Sequence, residues 1–298
     1  MSQNPSSTPV LLDAAALRAW PLPLPSSDGD KEERGRLMII AGSRELPGAA
    51  ILAADAALRA GVGKLTLVTC ESVAAGIALA VPEARVIALP ADAEARVASP
   101  VMERLRQMAA RTNAFLIGPG MEDEAAVGRL VEALLPHCLH APVVLDAAGM
   151  GLVAHRREPF AQTVLLTPHA GEMAHLTGHD KQAVQADPAS AARDAARRWG
   201  AVVALKGACT MIATPQGELW RHDGGNVGLA VSGSGDTLAG LVAGLAARGA
   251  SPQQAAAWAV ALHARAGEQL ARRWGLLGYL AREIAAEVPG LMSELMPD

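Results

Sequence analysis

The feature that most constrains this chain is an alternation of short apolar runs with Ala-rich segments that have helical spacing. Residues 37–41 form an apolar run that ends in Gly42 and Ser43, and a helix-like segment then opens near Gly48. The next apolar run occupies residues 64–69. A strand, a helix and a second strand in this order indicate a parallel pair of strands joined by a crossover helix.

The same alternation continues to the end of the chain and predicts most of the fold. Further strands are predicted at 86–89, 114–117, 143–145, 164–166 and 202–205, a β-hairpin at 211–214 and 218–221, and helices at 100–110, 125–135, 172–177, 188–199, 235–248, 252–272 and 280–288. This order favours one three-layer α/β domain with a mostly parallel central sheet and helices on both faces. Residues 35–298 are assigned to that domain. Residues 1–34, rich in Pro, Ser and Asp, are predicted to be an N-terminal extension outside the core.

Composition excludes several classes of protein. Hydrophobic residues make up 51% and charged residues 19%, which is wrong for a disordered chain. The formal charge of −4, without a basic stripe, argues against nucleic acid as a partner, and 3% aromatic residues disfavour a site built on ring stacking. Three scattered cysteines, with neither a leader-like segment nor a long apolar run, lead us to expect a cytoplasmic protein without membrane contact.

Polar and glycine residues follow several predicted strands directly. Gly118–Gly120, Asp146, residues 167–169 and Lys206 each come just after the end of a strand. In an open α/β sheet, ligands bind at the edge formed by the carboxyl ends of the strands. We therefore expect a ligand site there.

The segment Gly233-Ser234-Gly235-Asp236 carries the strongest chemical signal. Its glycines let the backbone approach a ligand closely, and the following helix directs unpaired N–H groups and its positive end toward that ligand. This predicts a site for a phosphate or an oxyanion, with Asp236 able to accept a proton from a substrate hydroxyl. The structural alternative is that Ser234 or Asp236 only caps the helix. The segment is not a P-loop, because no Gly-Lys-Ser/Thr follows.

These residues resemble a known family. Gly-Ser-Gly-Asp at a helix start, in the last third of a chain of this size, resembles the ribokinase-like superfamily. Within it, segments at 35–50, 117–120, 166–173 and 205–210 are similar, in order, to those of the ADP-dependent (S)-NAD(P)H-hydrate dehydratases. The resemblance covers about residues 34 to 290. One position departs from it, because Ala148 stands where many members carry a second acid after Asp146.

The resemblance implies a ribokinase-like fold and a repair reaction. ADP phosphorylates the hydroxyl of the S form of hydrated NADH or NADPH, and elimination of phosphate restores the cofactor and leaves AMP. It further implies Mg²⁺ bound to the phosphates, a homotetramer, and a separate NAD(P)H-hydrate epimerase acting in the same pathway. The motif itself is compatible with either ADP or ATP as the donor.

The resemblance also implies roles for individual residues. Asp236 is expected to be the base and to touch the substrate, and the amides of Gly233 and Gly235 to stabilise the transferring phosphoryl group. Residues matching the substrate pocket are Ala50, Gly120 and His169. Residues matching the nucleotide site are Lys206, Gly207, Ala208, Cys209, Thr210 and Gly235.

Simpler roles stand beside these. Lys206 could be a solvated strand end, His169 a hydrogen-bonded structural residue, and Glu172 a first-turn acid stabilised by the helix dipole. Two other functions also remain open: a ribokinase-like kinase of a small alcohol such as hydroxymethylpyrimidine, thiazole or pyridoxal, and a nucleotide-binding sensor without catalysis.

Overall fold

The computed structural model describes residues 8–26, 31–90 and 99–296. The strands are β1 (Val10–Leu11), β2 (Arg36–Ile40), β3 (Lys64–Cys70), β4 (Ala84–Leu89), β5 (Ala114–Ile117), β6 (Val143–Leu145), β7 (Val164–Leu166), β8 (Val202–Leu205), β9 (Thr210–Ala213) and β10 (Leu219–His222). The helices are α1 (Ala14–Arg18), α2 (Pro47–Arg59), α3 (Glu71–Ala80), α4 (Pro100–Ala109), α5 (Glu124–Leu134), α6 (Ala170–Thr177), α7 (Lys181–Ala186), α8 (Pro188–Trp199), α9 (Ser234–Ala247), α10 (Pro252–Trp274) and α11 (Ala281–Leu295). Short 3₁₀ segments lie at Leu135–His137, Ala147–His155 and Val227–Leu229.

One ten-stranded sheet runs through the molecule in the order β1-β10-β9-β8-β7-β6-β5-β2-β3-β4. Strands β2 to β8 pair in parallel, while β9 is antiparallel to both β8 and β10. The predicted parallel sheet and its hairpin are therefore confirmed.

Helices cover both faces of the sheet, which gives the predicted three layers. Along β2 the side chains alternate between two cores: Leu37 and Ile39 belong to one, and Met38 and Ile40 to the other. This period of two is expected when both faces of a strand are covered. The first core is filled mainly from α2, α9, α10 and α11, and the second from α4, α5, α6 and α8.

Two helices approach each other unusually closely, and small residues permit it. A Cβ added at Gly240 of α9 would overlap the backbone of Ala53 in α2, and one at Gly244 would lie 2.9 Å from the Cα of Ala57. Much of the alanine in α2 and glycine in α9 thus serves close helix packing.

The expectation that the N-terminal segment lies outside the core is wrong for residues 8–26. Leu12, Leu17 and Leu22 are buried in the first core. Strand β1 pairs in parallel with β10 at the edge of the sheet, and Trp20 stacks on Trp220 with ring centroids 5.6 Å apart. These residues complete the sheet edge and cover the helix layer, whereas the domain boundary at residue 34 stays a prediction.

Several elements have no counterpart in the predicted list. The pattern missed β1, α1, α3, α7 and the 3₁₀ segment Ala147–His155. It ended α11 at residue 288, just before Pro289, although the helix continues to Leu295.

Trp258 packs fully buried in the core, and Trp274 is 60% exposed. In the described ranges, no helix has both the length and the apolar character needed to cross a membrane.

Candidate functional site

The residues predicted at strand ends do converge at one edge of the sheet. Asp146 follows β6, Thr167 follows β7 and Lys206 follows β8, so three neighbouring strands deliver three polar side chains to one place. A parallel bridge between His169 and Lys206 extends the β7–β8 pairing beyond the strands themselves. The start of α9 faces the same edge, because Lys206 Nζ lies 3.5 Å from where a Cβ on Gly235 would be.

Lys206 is the centre of a cluster of carboxylates. Its Nζ lies 3.2 Å from Asp146 Oδ1 and 3.8 Å from Glu172 Oε2, and the side chain is 19% exposed. Burial alone lowers the pKa of Lys206, but the charges of Asp146, Glu172 and Asp236 outweigh it and raise that pKa. The ammonium is therefore held charged in a largely buried position. The alternative of a solvated strand end is wrong.

Asp146 is fixed by a second partner. The Thr167 hydroxyl donates to Asp146 Oδ1 at 2.6 Å, and both residues are buried. The backbone around Asp146 is also tightly packed, because a Cβ on Gly118 would overlap the Asp146 carbonyl oxygen. Asp146 therefore orients Lys206 from a fixed position.

The surroundings of Asp236 suit its carboxylate to proton transfer. Burial, together with the negative charges of Asp146 and Glu172, raises its pKa to about 6, although Lys206 acts in the opposite direction. A general base is most effective when its pKa lies near the working pH. At neutral pH this carboxylate is mainly ionised yet retains a real affinity for a proton.

The first turn of α9 has the geometry expected of an anion site. Gly233 occupies the N-cap position at φ +89°, a conformation that favours glycine, and no side chain caps the helix. The alternative in which Ser234 or Asp236 only caps the helix is therefore wrong. The first N–H groups of a helix lack partners within it, so they are available to an anion.

A buried histidine supports this turn from behind. His263 Nε2 lies 3.0 Å from Ser234 Oγ and 3.1 Å from the Ser234 carbonyl oxygen. Burial lowers the pKa of His263 to about 4, so the ring is neutral at physiological pH. His263 thus holds the first turn of α9 without adding charge to it.

His169 has a structural role as well as a place on the site surface. Its Nδ1 accepts hydrogen bonds from the backbone N–H of Gly171 at 3.0 Å and of Glu172 at 3.1 Å, while Glu172 Oε2 accepts from the His169 N–H at 2.7 Å. The two side chains form a capping box at the start of α6. The hydrogen-bonded structural role weighed for His169 is confirmed, and its exposed ring also lines the adjoining cavity.

A cavity of about 670 Å³ adjoins the cluster at Lys206. This volume is in the range of small-molecule sites. Its wall includes the following residues of the predicted nucleotide segments: Lys206, Gly207, Ala208, Thr210 and Gly235. Cys209 is not part of this wall. Its thiol interacts with Asp223, and burial and that carboxylate raise the pKa of Cys209 to about 11.

Two buried polar atoms beside the cavity lack partners. His222 Nε2 and Asn226 Nδ2 make no hydrogen bond within the described part of the chain, and both residues lie on the cavity wall. Asn226 Oδ1 accepts from the Gly228 N–H at 2.9 Å and from the Tyr279 hydroxyl at 2.8 Å. The loop at residues 224–228 is therefore held in place, while two polar atoms at the cavity stay without a partner in the described part of the chain.

Ala50 and the turn at Gly120 lie near each other at the start of α2. Gly120 has φ +65°, and a Cβ there would meet Ala49 and the Leu46 carbonyl oxygen. Ala50 is fully buried beneath the turn at Gly42. Any effect of Ala50 on a ligand would therefore be exerted through the shape of this turn.

Sequence reasoning missed some of the residues that organise the site. It gave His263 no role and mentioned Asp146 and Glu172 without placing them around Lys206. The spacing of Ser234 and His263, 29 residues apart on different helices, leaves no local signal. The position of Asp146 at a strand end was the available clue.

Comparisons with known proteins agree with one another. A family model described as NAD(P)H-hydrate dehydratase matches residues 37–290. A protein of Xanthomonas campestris pv. campestris named ADP-dependent (S)-NAD(P)H-hydrate dehydratase is 49% identical over 282 residues, which are 95% of this chain and 96% of that protein. The Bacillus subtilis ADP/ATP-dependent NAD(P)H-hydrate dehydratase, co-crystallised with ATP/Mg²⁺, superposes with a TM-score of 0.81 at 32% identity, covering 97% of this chain and 99% of that one.

The predicted ribokinase-like fold is confirmed by the same kind of comparison. A ribokinase-like superfamily protein from Enterococcus faecalis superposes with a TM-score of 0.84, covering 99% of each chain. Its identity of 24% makes this a likeness of fold alone.

Proposed function

The chain belongs to the NAD(P)H-hydrate dehydratase family, and from this we propose that it repairs hydrated NADH and NADPH. The reaction is the ADP-dependent dehydration of the S form, which regenerates the reduced cofactor and releases AMP and phosphate. The observation that carries this proposal is the carboxylate of Asp236, with a pKa of about 6, at a helix N-terminus beside Lys206 and a nucleotide-sized cavity.

The chemistry requires both a base and an anion site. Hydroxide leaves poorly, so the hydroxyl of the hydrate must first become a phosphate ester. Asp236 takes the hydroxyl proton as the hydroxyl oxygen attacks the terminal phosphorus of ADP, and AMP departs. The C–O bond then breaks with its electrons going to phosphate, as the ring nitrogen donates its lone pair to form a C=N⁺ bond. Loss of a proton from the neighbouring ring carbon to solvent then forms the C=C bond and returns the electron pair to the nitrogen. Positioning and charge stabilisation dominate in such transfers.

The remaining predicted residues support these steps. The N–H groups at Gly233 and Gly235 are proposed to contact the transferring phosphoryl group, and Lys206 to balance its charge. Residues 206–210, including Cys209 through its backbone, are proposed to hold the nucleotide. The substrate side is assigned to Ala50, Gly120 and His169, together with Asp236.

Mg²⁺ fits this site as an ion carried mainly by phosphates. Within residues 8–26, 31–90 and 99–296, no three His, Cys, Asp or Glu side chains are grouped to bind a metal. Mg²⁺ usually keeps several waters and needs only one or two carboxylates besides substrate phosphates. Asp236 and Glu172 are the carboxylates proposed to face it, where it would neutralise phosphate charge. Ala148 offers no ligand at the position where many family members carry an acid.

We propose that residues 35–298, completed by residues 8–26 at the sheet edge, form the catalytic domain of a cytoplasmic homotetramer. An epimerase that interconverts the two forms of the hydrate is proposed to act in the same pathway as a separate protein. Adenine nucleotide and hydrated cofactor, rather than nucleic acid or a membrane, are the proposed binding partners.

The test of function is direct. The protein is mixed with the S form of NADH hydrate, ADP and Mg²⁺, and recovery of the near-ultraviolet absorbance of reduced nicotinamide is followed. We expect recovery that depends on ADP. A protein that instead phosphorylates a hydroxymethylpyrimidine, thiazole or pyridoxal alcohol, without restoring NADH, would be the kinase alternative. A protein that binds nucleotide and turns over neither substrate would be a sensor.

A further inference from the structure

A second cavity, of about 770 Å³, lies at the opposite edge of the sheet. Arg36 begins β2, Lys64 begins β3 and Arg85 is the second residue of β4, and all three line this cavity. The candidate active site is at the carboxyl ends of the strands. Since a strand rises about 3.3 Å per residue, the seven residues of β3 separate the two edges by roughly 20 Å. This second cavity therefore plays no part in the proposed chemistry.

The second cavity concentrates positive charge. Among the residues that the structure describes, its basic lining residues are Lys31, Arg36, Lys64, Arg85, Arg104 and Arg111, and its one acidic lining residue is Glu83. The lining thus has a formal charge of +5 on a chain whose total charge is −4. A concave surface of one sign focuses the electrostatic potential and attracts counter-charged ligands.

The basic residues divide into two groups. Arg36 and Lys64 both pair with Glu32, at 2.6 Å in the case of Arg36. Among the residues that the structure describes, Arg85, Arg104 and Arg111 have no acidic partner, and all three are exposed. Like charges gathered without partners repel one another, so an anion bound between them would relieve that repulsion.

The backbone at Arg36, at Lys31 and beside Arg111 is fixed by local contacts. The Arg36 N–H donates to Asn113 Oδ1 at 2.8 Å, and the Thr112 hydroxyl donates to the Met108 carbonyl oxygen at 3.0 Å. Gly63 packs directly against the backbone of Lys31, where a Cβ would overlap the Lys31 carbonyl oxygen. A fixed frame lowers the cost of ordering the cavity around a ligand.

We infer that this second cavity is a binding site for a small molecule that carries at least two phosphate groups. Arg85, Arg104 and Arg111, which have no acidic partner among the described residues, offer paired N–H donors matched to phosphate oxygens, and the charge of +5 on the lining exceeds the charge that one phosphate group carries. The volume and concave shape suit a nucleotide-sized ligand. The inference goes beyond the proposed repair reaction and does not depend on it.

The test is a calorimetric titration of the protein with inorganic tripolyphosphate. It is carried out on the wild type and on Lys206→Met, because loss of the Lys206 ammonium is expected to weaken phosphate binding at the candidate active site. The double variant Arg85→Gln/Arg104→Gln is compared with Arg129→Gln/Arg272→Gln, which removes the same charge from exposed helix positions. Circular dichroism verifies the fold of each variant, and Arg111→Gln alone provides a milder second change.

We expect tripolyphosphate to bind Lys206→Met with one site, and the double variant in this background to bind at least about tenfold more weakly. Arg129→Gln/Arg272→Gln should leave the affinity unchanged, and added salt should weaken binding. ADP should occupy the same site if a nucleotide is the natural ligand, whereas binding of tripolyphosphate alone would point to a polyphosphate. Equal loss in both double variants, or no binding to Lys206→Met, would overturn the inference. Orthophosphate binding as tightly as tripolyphosphate would refute the need for two phosphates.

Discussion

At Asp236 and Lys206 the electrostatic requirements of folding and of proton transfer conflict. Three carboxylates surround one ammonium, so the cluster carries an excess of negative charge in a partly buried place. That excess is unfavourable for folding but gives Asp236 the proton affinity that a base needs. Sites of this kind trade stability for function.

Replacement of Asp236 by Asn should separate these two effects. We expect turnover to fall by about 10²-fold or more while nucleotide binding is kept, because the base is lost and the anion site remains.

The pKa of Asp236 rises from 3.8 in the unfolded chain to about 6 in the folded one, so its ionised form opposes folding above pH 6. Asp236→Asn should then be more stable than wild type at pH 8, by on the order of 1–3 kcal/mol.

The pH dependence gives the control for this prediction. As pH falls through 6 toward 3.8, Asp236 takes up its proton in the folded protein and the advantage of Asn should vanish. Thermal melting at pH 8 and near pH 4 measures the difference. Asp194→Asn, on the exposed face of α8, serves as the matched change. A stability gain at pH 8 no larger than that of Asp194→Asn would contradict the proposed cluster.

Lys206→Met should move the acid limb of the pH–rate profile to higher pH. The ammonium of Lys206 lowers the pKa of Asp236, so its removal lets burial and the neighbouring carboxylates raise that pKa above 6. Initial rates at saturating substrate from pH 5 to 8 provide the measurement, with the exposed Lys181→Met as control. An unshifted profile with only a weaker affinity for ADP would mean that Lys206 serves the nucleotide alone.

At the scale of elements, periodicity predicted most strands and helices that bear the site, but not how they meet. The strands at 114–117, 143–145, 164–166 and 202–205 have the bounds found in the structure, because short apolar runs between polar ends are unambiguous. Helix α3 was missed, since its Ala-rich sequence with Gly76 inside has a weak pattern. The contact between Ser234 and His263 joins two helices and has no signature in either.

We expect opposite effects on stability from alanine at two helix glycines, one in the close contact of α9 with α2 and one on the open surface of α3. Gly240→Ala should lower the free energy of unfolding by about 1–3 kcal/mol, because the added methyl overlaps the backbone of Ala53. Gly76→Ala, in α3 with no atom within 4 Å of the new Cβ, should raise it by about 0.5–1 kcal/mol. Denaturant unfolding measures the free energy of unfolding of both variants. Equal effects would show that helix propensity, and not packing, governs both positions.

For the whole molecule, the N-terminal segment is part of the fold. The Trp258 indole N–H donates to the Trp20 carbonyl oxygen at 2.8 Å, and Gln254 Nε2 donates to the Pro21 carbonyl oxygen at 2.9 Å. His222, beside the nucleotide-sized cavity, contacts the Leu12 carbonyl oxygen through Nδ1 at 2.8 Å. The sequence concealed this role because a Pro-rich, polar stretch does not show which of its few apolar residues reach the core.

Two leucines of this segment test its contribution. Leu17 is fully buried, so Leu17→Ala should lower the free energy of unfolding by about 2–5 kcal/mol. Leu24 is 70% exposed, and Leu24→Ala should change it by less than about 0.5 kcal/mol. Urea denaturation of the two variants provides the comparison. Similarly small changes in the free energy of unfolding for both variants would show that the N-terminal segment contributes little to stability.

The measurement that tests the central claim most directly follows one oxygen atom. NADH hydrate carrying oxygen-18 in its hydroxyl group is converted in the presence of ADP, and the released phosphate and the water are analysed by mass spectrometry. If Asp236 activates that hydroxyl for phosphorylation before elimination, the label must appear in phosphate, with one AMP formed for each NADH regenerated. Label released into water, or NADH formed without AMP, would contradict the proposed mechanism.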